Sequence, residues 1–301
     1  MDFDKQPDWI HEPKHHETIG IPTLNISDLH YDETVDKNQV NGMNEFDHEI
    51  ANKRLNFTFQ ECTDILMNRY TNPRYDGFHL ILNGDLFSGN IHEELRETNH
   101  QPILKSLVDL RGVLYQNIKN LVDTFGKVFI TCEPGNHGRL DKKPRAKNKV
   151  FDNYEWLLYQ NLAHDFIDDD RVTFLIEDSW ECTYEIYNTR YFQTHGDCFR
   201  GGSGIGGILV PILRGMAKKQ QIYSAIKKTF DVMVIGHFHQ LIMMDNLVVN
   251  GTVKGMDEWC LQMGFPYQRP QQGMWVNHPE HGMILKTKIL CDAYEGGHEA
   301  P

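Results

Sequence analysis

Short apolar runs that end in polar clusters recur along the chain. Leu24-Asn25-Ile26-Ser27 alternates apolar and polar, the period of a strand, and delivers Asp28 and His30 at its end. Phe78-His79-Leu80-Ile81-Leu82 opens into Asn83-Gly84-Asp85, and Val128-Phe129-Ile130 leads to Glu133-Pro134-Gly135-Asn136-His137-Gly138. Residues 190–194 end at His195-Gly196-Asp197, and Asp231-Val232-Met233-Val234-Ile235 ends in Gly236-His237-Phe238-His239. Strands are also predicted over 172–176 and over 180–187, the latter forming a hairpin with 190–194 turned at Asn188. Residues 247–249 and 283–289 read as closing strands. Apolar residues at helical spacing predict helices over 46–70 and 101–125, and further helices are read over 153–166 and 208–229. Asn72-Pro73 stops the first helix and Gly126 caps the second.

The remainder reads as loop. Residues 1–20 form a polar, poorly packed arm, 31–45 a loop or insertion over the strand tips, and 293–301 a tail. One domain is expected over 21–292. Within it, 256–275 is rich in aromatics, Pro and Gly, and is either a lid or a packed excursion. The glycine run at 201–207 does not follow G-x-G-x-x-G in a strand–turn–helix unit, so it reads as a flexible loop and not as a dinucleotide site. No internal repeat is visible.

Composition narrows the classes. A chain of 301 residues with 40% hydrophobic and 24% charged positions is ample for a globular core. It holds no apolar run long enough to span a membrane, and its first residues lack the apolar centre of a secretion signal. A cytoplasmic location is therefore expected, with no membrane contact. Cys62, Cys132, Cys182, Cys198, Cys260 and Cys291 show no C-x-x-C spacing and read as reduced, mostly buried thiols. The formal net charge of −12 disfavours a nonspecific polyanion binder, although bound cations would offset part of it. One stretch reverses the sign: Arg139, Lys142, Lys143, Arg145, Lys147 and Lys149 stand against Asp141 alone. It reads equally as a solvated loop and as a phosphate contact beside His137.

The polar clusters carry the candidate chemistry. Singly, each could be a surface turn, and a strand-end His is more often structural than a ligand. Together, Asp28, His30, Asp85, Asn136, His195, His237 and His239 make a mixed nitrogen and oxygen donor set with no thiolate. Such donors suit two divalent ions, with Mn the first choice and Fe, Zn, Mg or Ni open. Asp85 has two oxygens and could touch both ions. Two ions roughly 3.5–4 Å apart can hold a bridging hydroxide for in-line attack on phosphorus. His137 is the motif residue left over to protonate the leaving oxygen, and Arg139 could stabilise the developing charge.

The ordered series Asp-x-His, Gly-Asp, Gly-Asn-His, His and Gly-His-x-His, spread over residues 24 to about 252, resembles the calcineurin-like metallophosphoesterase superfamily. The resemblance implies an α/β fold, a four-layer αββα sandwich of two mixed β-sheets flanked by helices, with a dinuclear metal site at the strand C-terminal ends. It implies that Asp28, His30, Asp85 and His239 hold one ion, that Asp85, Asn136, His195 and His237 hold the other, and that His137 is the acid. Gly84-Asp85-Leu86-Phe87 is similar to the repair-nuclease branch. Gly135-Asn136-His137-Gly138-Arg139 looks like small phage-encoded phosphoesterases labelled as DNA-repair exonucleases, for which the location would be the host cytoplasm. Many relatives carry Asp or Glu where this chain has Gly138, so a carboxylate that would tune His137 is missing at that position, and Asp197 or Glu133 could substitute.

The leading expectation is a metal-dependent phosphodiesterase, nuclease-like, acting on nucleic acid and above all DNA, with Lys142, Lys143, Arg145 and Lys147 as substrate contacts. The alternative is a phosphatase or phosphodiesterase of a small nucleotide or cyclic nucleotide. A protein partner or a homo-oligomer stays open.

Overall fold

A computed structural model describes residues 3, 5–13, 18–201 and 207–295. Strands β1 (Ile21–Ile26), β2 (Phe78–Leu82), β3 (Val128–Cys132) and β4 (Val172–Ile176) run parallel in that order. Strand β10 (Gln271–His278) pairs antiparallel with β1, and β11 (Gly282–Leu290) pairs antiparallel with β10, completing a six-stranded sheet. A second, five-stranded sheet has the order β5 (Cys182–Ile186), β6 (Thr189–Gln193), β7 (Val232–Ile235), β9 (Leu247–Val249), β8 (Ile242–Met243). Both sheets are mixed.

Three apolar clusters give the layers. Ile21, Ile81, Phe129 and Leu175 meet Cys182, Tyr191, Val234 and Val248 between the sheets. Alternate residues of the large sheet, such as Leu24, Leu80, Ile130 and Phe174, point outward against helices α1 (His48–Asn68), α3 (Ile103–Phe125) and α4 (Tyr154–Asp165). Helix α5 (Leu209–Ala225) covers the outer face of the small sheet through Ile212, with Leu209, Met216 and Tyr223 beside Phe192 and Phe230. The architecture is αββα. Asp47 caps α1 by accepting the Ile50 N–H at 2.7 Å, and Gly126 ends α3 at φ 77°.

Several expectations need correction. Strand β10 occupies 271–275 of the segment read as a lid or excursion. Its helical or strand period is hidden because its polar side chains are buried and paired: Gln272 Oε1 accepts from Ser27 N at 2.9 Å, and Asn277 Nδ2 donates to Ile21 O at 2.9 Å. The rest of that segment holds a short helix, α6 (Glu258–Gln262), anchored by buried Cys260. The N-terminal arm is not uniformly loose, since Ile10 is fully buried in the inter-sheet core and its carbonyl accepts from Tyr187 N at 2.7 Å. A further helix, α2 (Glu93–Thr98), has no buried residue and so left no apolar stripe to read. Within the arm, the glycine run and the tail, residues 1–2, 4, 14–17, 202–206 and 296–301 lie outside the described residues. Among the described residues, no helix is long and apolar enough to cross a membrane. All six cysteines are free thiols, and five are buried.

His79 lies between the sheets, its ring nitrogens each 3.1 Å from the Thr23 and Thr131 hydroxyls. Burial depresses it to about 3. The unfolded chain takes up this proton below about pH 6.5, whereas the native state refuses it until about pH 3. Stability is therefore lost as pH falls through that window, by on the order of 5 kcal/mol in full. Urea unfolding of His79→Leu should show a shallower acid limb between those values than the parent. Equal acid limbs in the variant and the parent would remove His79 from the acid response.

Candidate metal centre

The polar clusters meet where β1, β2, β3, β6 and β7 end. Backbone bonds align the first two loops: Asp28 N donates to Gly84 O, His30 N to Asp85 O and Tyr31 N to Leu86 O, at 3.0, 3.0 and 2.9 Å. The chain is not extended there. Asp28, His30, Asp85, His237 and His239 all have left-handed φ between 49° and 65°. Each such non-Gly residue costs on the order of 1–3 kcal/mol, a strain the surrounding bonds must hold. Gly84 and Gly135 let the second and third loops touch. A Cβ at Gly84 would stand 2.3 Å from Gly135 N, and one at Gly135 would stand 2.2 Å from Asp85 Oδ1.

The side chains converge. Donor atoms of Asp28, His30 and His239 lie within 4.8 Å of one another, as do those of His30, Asp85 and His137, and those of Asp85, His195 and His237. His30 Nε2 and His239 Nε2 are 3.1 Å apart, and Asp28 Oδ1 is 3.4 Å from the latter. Asp85 Oδ2 is 2.9 Å from His195 Nε2, while its Oδ1 accepts from His137 N at 2.7 Å. Asp28 likewise accepts from His237 N at 3.0 Å, so each carboxylate also fixes the backbone of a distant loop. Asp28 and Asp85 are essentially inaccessible to solvent. Asn136 Oδ1 is buried with no hydrogen-bond partner among the described residues.

In four of the five rings a protein group lies beside the other nitrogen. His195 Nδ1 is 2.8 Å from Asn83 O, and His137 Nδ1 is 2.8 Å from Ser88 O. Donation from Nδ1 to these carbonyls leaves Nε2 as the free edge. His30 Nδ1 faces Glu33 Oε2 at 3.2 Å, and His239 Nδ1 faces Cys260 Sγ at 3.9 Å. Behind them Lys254, itself buried, pairs with Glu33 at 2.8 Å and with Asp257. Asp257 in turn caps α6, accepting from Cys260 N at 2.6 Å.

Burial alone would push the Asp28 and Asp85 carboxyls up, but His239 for Asp28 and His195 for Asp85 hold both below the usual carboxylate range. Against the same burial penalty, those carboxylates raise His195 and His239 to about 10. His237, buried beside His195, is lowered to about 4. The buried carboxylates thus favour positive charge at His195 and His239. The donor set, the two facing imidazole nitrogens and the orphaned Asn136 oxygen all fit divalent cations.

Not every candidate reaches the centre. Arg139 donates its Nε, Nη1 and Nη2 to the carbonyls of Asp141, Asn136 and Lys142 at 2.9–3.0 Å, and so braces its own loop. Lys142, Lys143, Arg145 and Lys147 are exposed, and Arg145 pairs with Asp141 at 2.8 Å. The cavity this loop lines with Asn136 and Asn153 is small, about 20 Å³. Leu86 and Phe87 of the nuclease-like motif are fully buried in the core. Neither proposed substitute for an acid at Gly138 reaches His137. Asp197 pairs with Lys149 at 2.8 Å, and the buried Glu133 carboxyl has no hydrogen-bond partner among the described residues. Glu33, Lys254, Asp257 and Glu155 were not legible as site residues, because each lies outside the motifs and only folding brings it behind them.

No family model matches the chain, and no curated protein matches it. Among solved structures it is similar to Vps29 of Entamoeba histolytica complexed with zinc, at 9% identity and a TM-score of 0.37, covering 90% of this chain and 100% of that one. A predicted phosphoesterase from Streptococcus pneumoniae TIGR4 matches at 12% identity and 0.33, covering 90% and 98%. Vps29 of Cryptosporidium parvum matches at 10% and 0.34, covering 90% and 98%. Likenesses this loose do not carry function from one protein to another.

Proposed function

We propose that the chain is a two-metal phosphoric ester hydrolase. The observation that carries this reading is the meeting of buried metal-ligand-type atoms: two imidazole Nε2 atoms 3.1 Å apart beside Asp28, with Asp85 between that group and His195. Positive charge among these groups, as a divalent cation would bring, offsets the burial of the two carboxylates. Asp28, His30, Asp85 and His239 would hold one divalent cation, and Asp85, Asn136, His195 and His237 the other. Bound there, the pair would supply Lewis acidity and activated water. Manganese is the first metal to test.

His137 is not one of those seven ligands in this reading, although its donor atom lies within 4.8 Å of those of His30 and Asp85. The Ser88 carbonyl fixes Nδ1, so Nε2 is the edge that can hand a proton to a leaving oxygen. His137→Ala should keep metal binding and lose about 10²–10⁴-fold in turnover. Parental turnover would take His137 out of the mechanism.

The finer reading is a phosphodiesterase of nucleic acid, above all DNA. The exposed basic side chains at 142–147, on the loop that begins at Asn136, support it. The net charge of −12 favours the alternative, a small nucleotide or cyclic nucleotide. The test is hydrolysis by Mn-loaded protein of bis-p-nitrophenyl phosphate, p-nitrophenyl phosphate, single- and double-stranded DNA, RNA and cyclic nucleotides. DNA cleavage supports the first. Turnover confined to small esters selects the second, and no turnover of any ester sinks both.

A further inference from the structure

Two of the loops that carry donors meet on a carboxylate outside the donor set. Glu155, in the first turn of α4, is fully buried. Its Oε1 accepts from Leu86 N at 2.6 Å, and its Oε2 accepts from Gly135 N at 2.6 Å. Leu86 follows Asp85, and Gly135 precedes Asn136. The start of the helix is tied to the same place: Asn153 Nδ2 donates to Gly135 O, and Tyr154 N donates to Gly138 O, both at 2.8 Å. Gly138 makes room for this approach. A Cβ there would stand 2.4 Å from Asn153 Oδ1 and 2.9 Å from Glu155 Cγ.

We propose that Glu155 is a positioning residue for the metal centre, its carboxylate setting the spacing between Asp85 and Asn136 by clamping the backbone of both loops. The inference rests on the two-metal reading. Carboxylate acceptors make the stronger kind of bond to backbone N–H, and here one side chain spans two loops that no regular pairing joins at that point. An amide of the same shape would keep one acceptor and set an N–H donor against an N–H donor on the other arm. Outer partners of this kind typically change metal affinity by about 10–100-fold.

Glu155→Gln in the full chain is titrated with Mn²⁺ and followed by electron paramagnetic resonance, with the melting temperature of the metal-free protein measured alongside. The expected result is a ten- to hundred-fold weaker Mn²⁺ affinity and loss of the exchange-coupled signal of neighbouring ions, at a metal-free melting temperature close to the parent's. Parental affinity with the parental coupled signal overturns the assignment. Gly138→Ala is the second variant. It presses on the Glu155 stem while leaving the carboxylate in the chain, and is expected to weaken Mn²⁺ binding in the same direction. If Glu155→Gln does not fold, Gly138→Ala decides alone, and parental binding by it overturns the proposal. A parent protein that binds no Mn²⁺ sinks the two-metal reading itself, an outcome separate from either variant's.

Discussion

Asp85→Asn is expected to lower phosphodiester hydrolysis by about three orders of magnitude or more and to weaken Mn²⁺ binding at both positions. Asp85 belongs to two of the three convergent donor groups, one with His30 and His137, the other with His195 and His237. Its two oxygens face different ways, Oδ2 toward His195 Nε2 and Oδ1 toward His137 N. Asn keeps the size and one acceptor oxygen, so the backbone bond to His137 can survive. It loses the buried negative charge and the second oxygen, which is where a cation pair would be shared. Several kcal/mol of charge stabilisation at the reacting phosphoryl group go with it, and about 4 kcal/mol corresponds to a thousandfold in rate. The check is bis-p-nitrophenyl phosphate turnover against Mn²⁺ concentration. Turnover within tenfold of the parent at saturating metal would show that Asp85 is not shared, and the two-metal reading would fall with it.

Lys254→Met should destabilise the protein by about 3–5 kcal/mol, the usual result of removing one partner from a buried ion pair. Lys254, Glu33 and Asp257 are each at most 5% exposed. Burial disfavours the charge on Lys254, but Glu33 and Asp257 raise its amine above the ordinary range, and Lys254 in turn holds Asp257 below its own despite burial. Met fills the stem's volume and leaves two carboxylates facing each other out of water. The damage should reach the centre, because Glu33 faces His30, and Asp257 caps the helix that sets Cys260 against His239. Urea unfolding at neutral pH reads the loss. The triple variant Lys254→Met, Glu33→Gln, Asp257→Asn should recover much of it by removing the orphaned charges. A single variant within 1 kcal/mol of the parent would mean that water or a rearranged partner already compensates these groups.

By itself the sequence determined the strands that carry the motifs, the four long helices and the order in which donor-type residues arrive at strand ends. These are legible because periodicity is local: an apolar face at helical or strand spacing is written in neighbouring residues, and β1, β2, β3 and β7 are short runs bounded by polar turns. Strand β10 was not legible. Its Gln272 and Asn277 look solvent-facing until Ser27, Ile21 and Thr23 are found beside them. Only the tertiary structure decided which ring nitrogen faces the site, since that depends on the carbonyls of Asn83 and Ser88, 112 and 49 residues away along the chain. It also decided that Arg139 braces its own loop, and that Glu155 and Lys254 stand behind the donor loops. A lone Glu in the first turn of a helix and a lone Lys in a loop have ordinary solvated roles. What sets these two apart is desolvation and contact with distant backbone, and neither exists until the chain has folded.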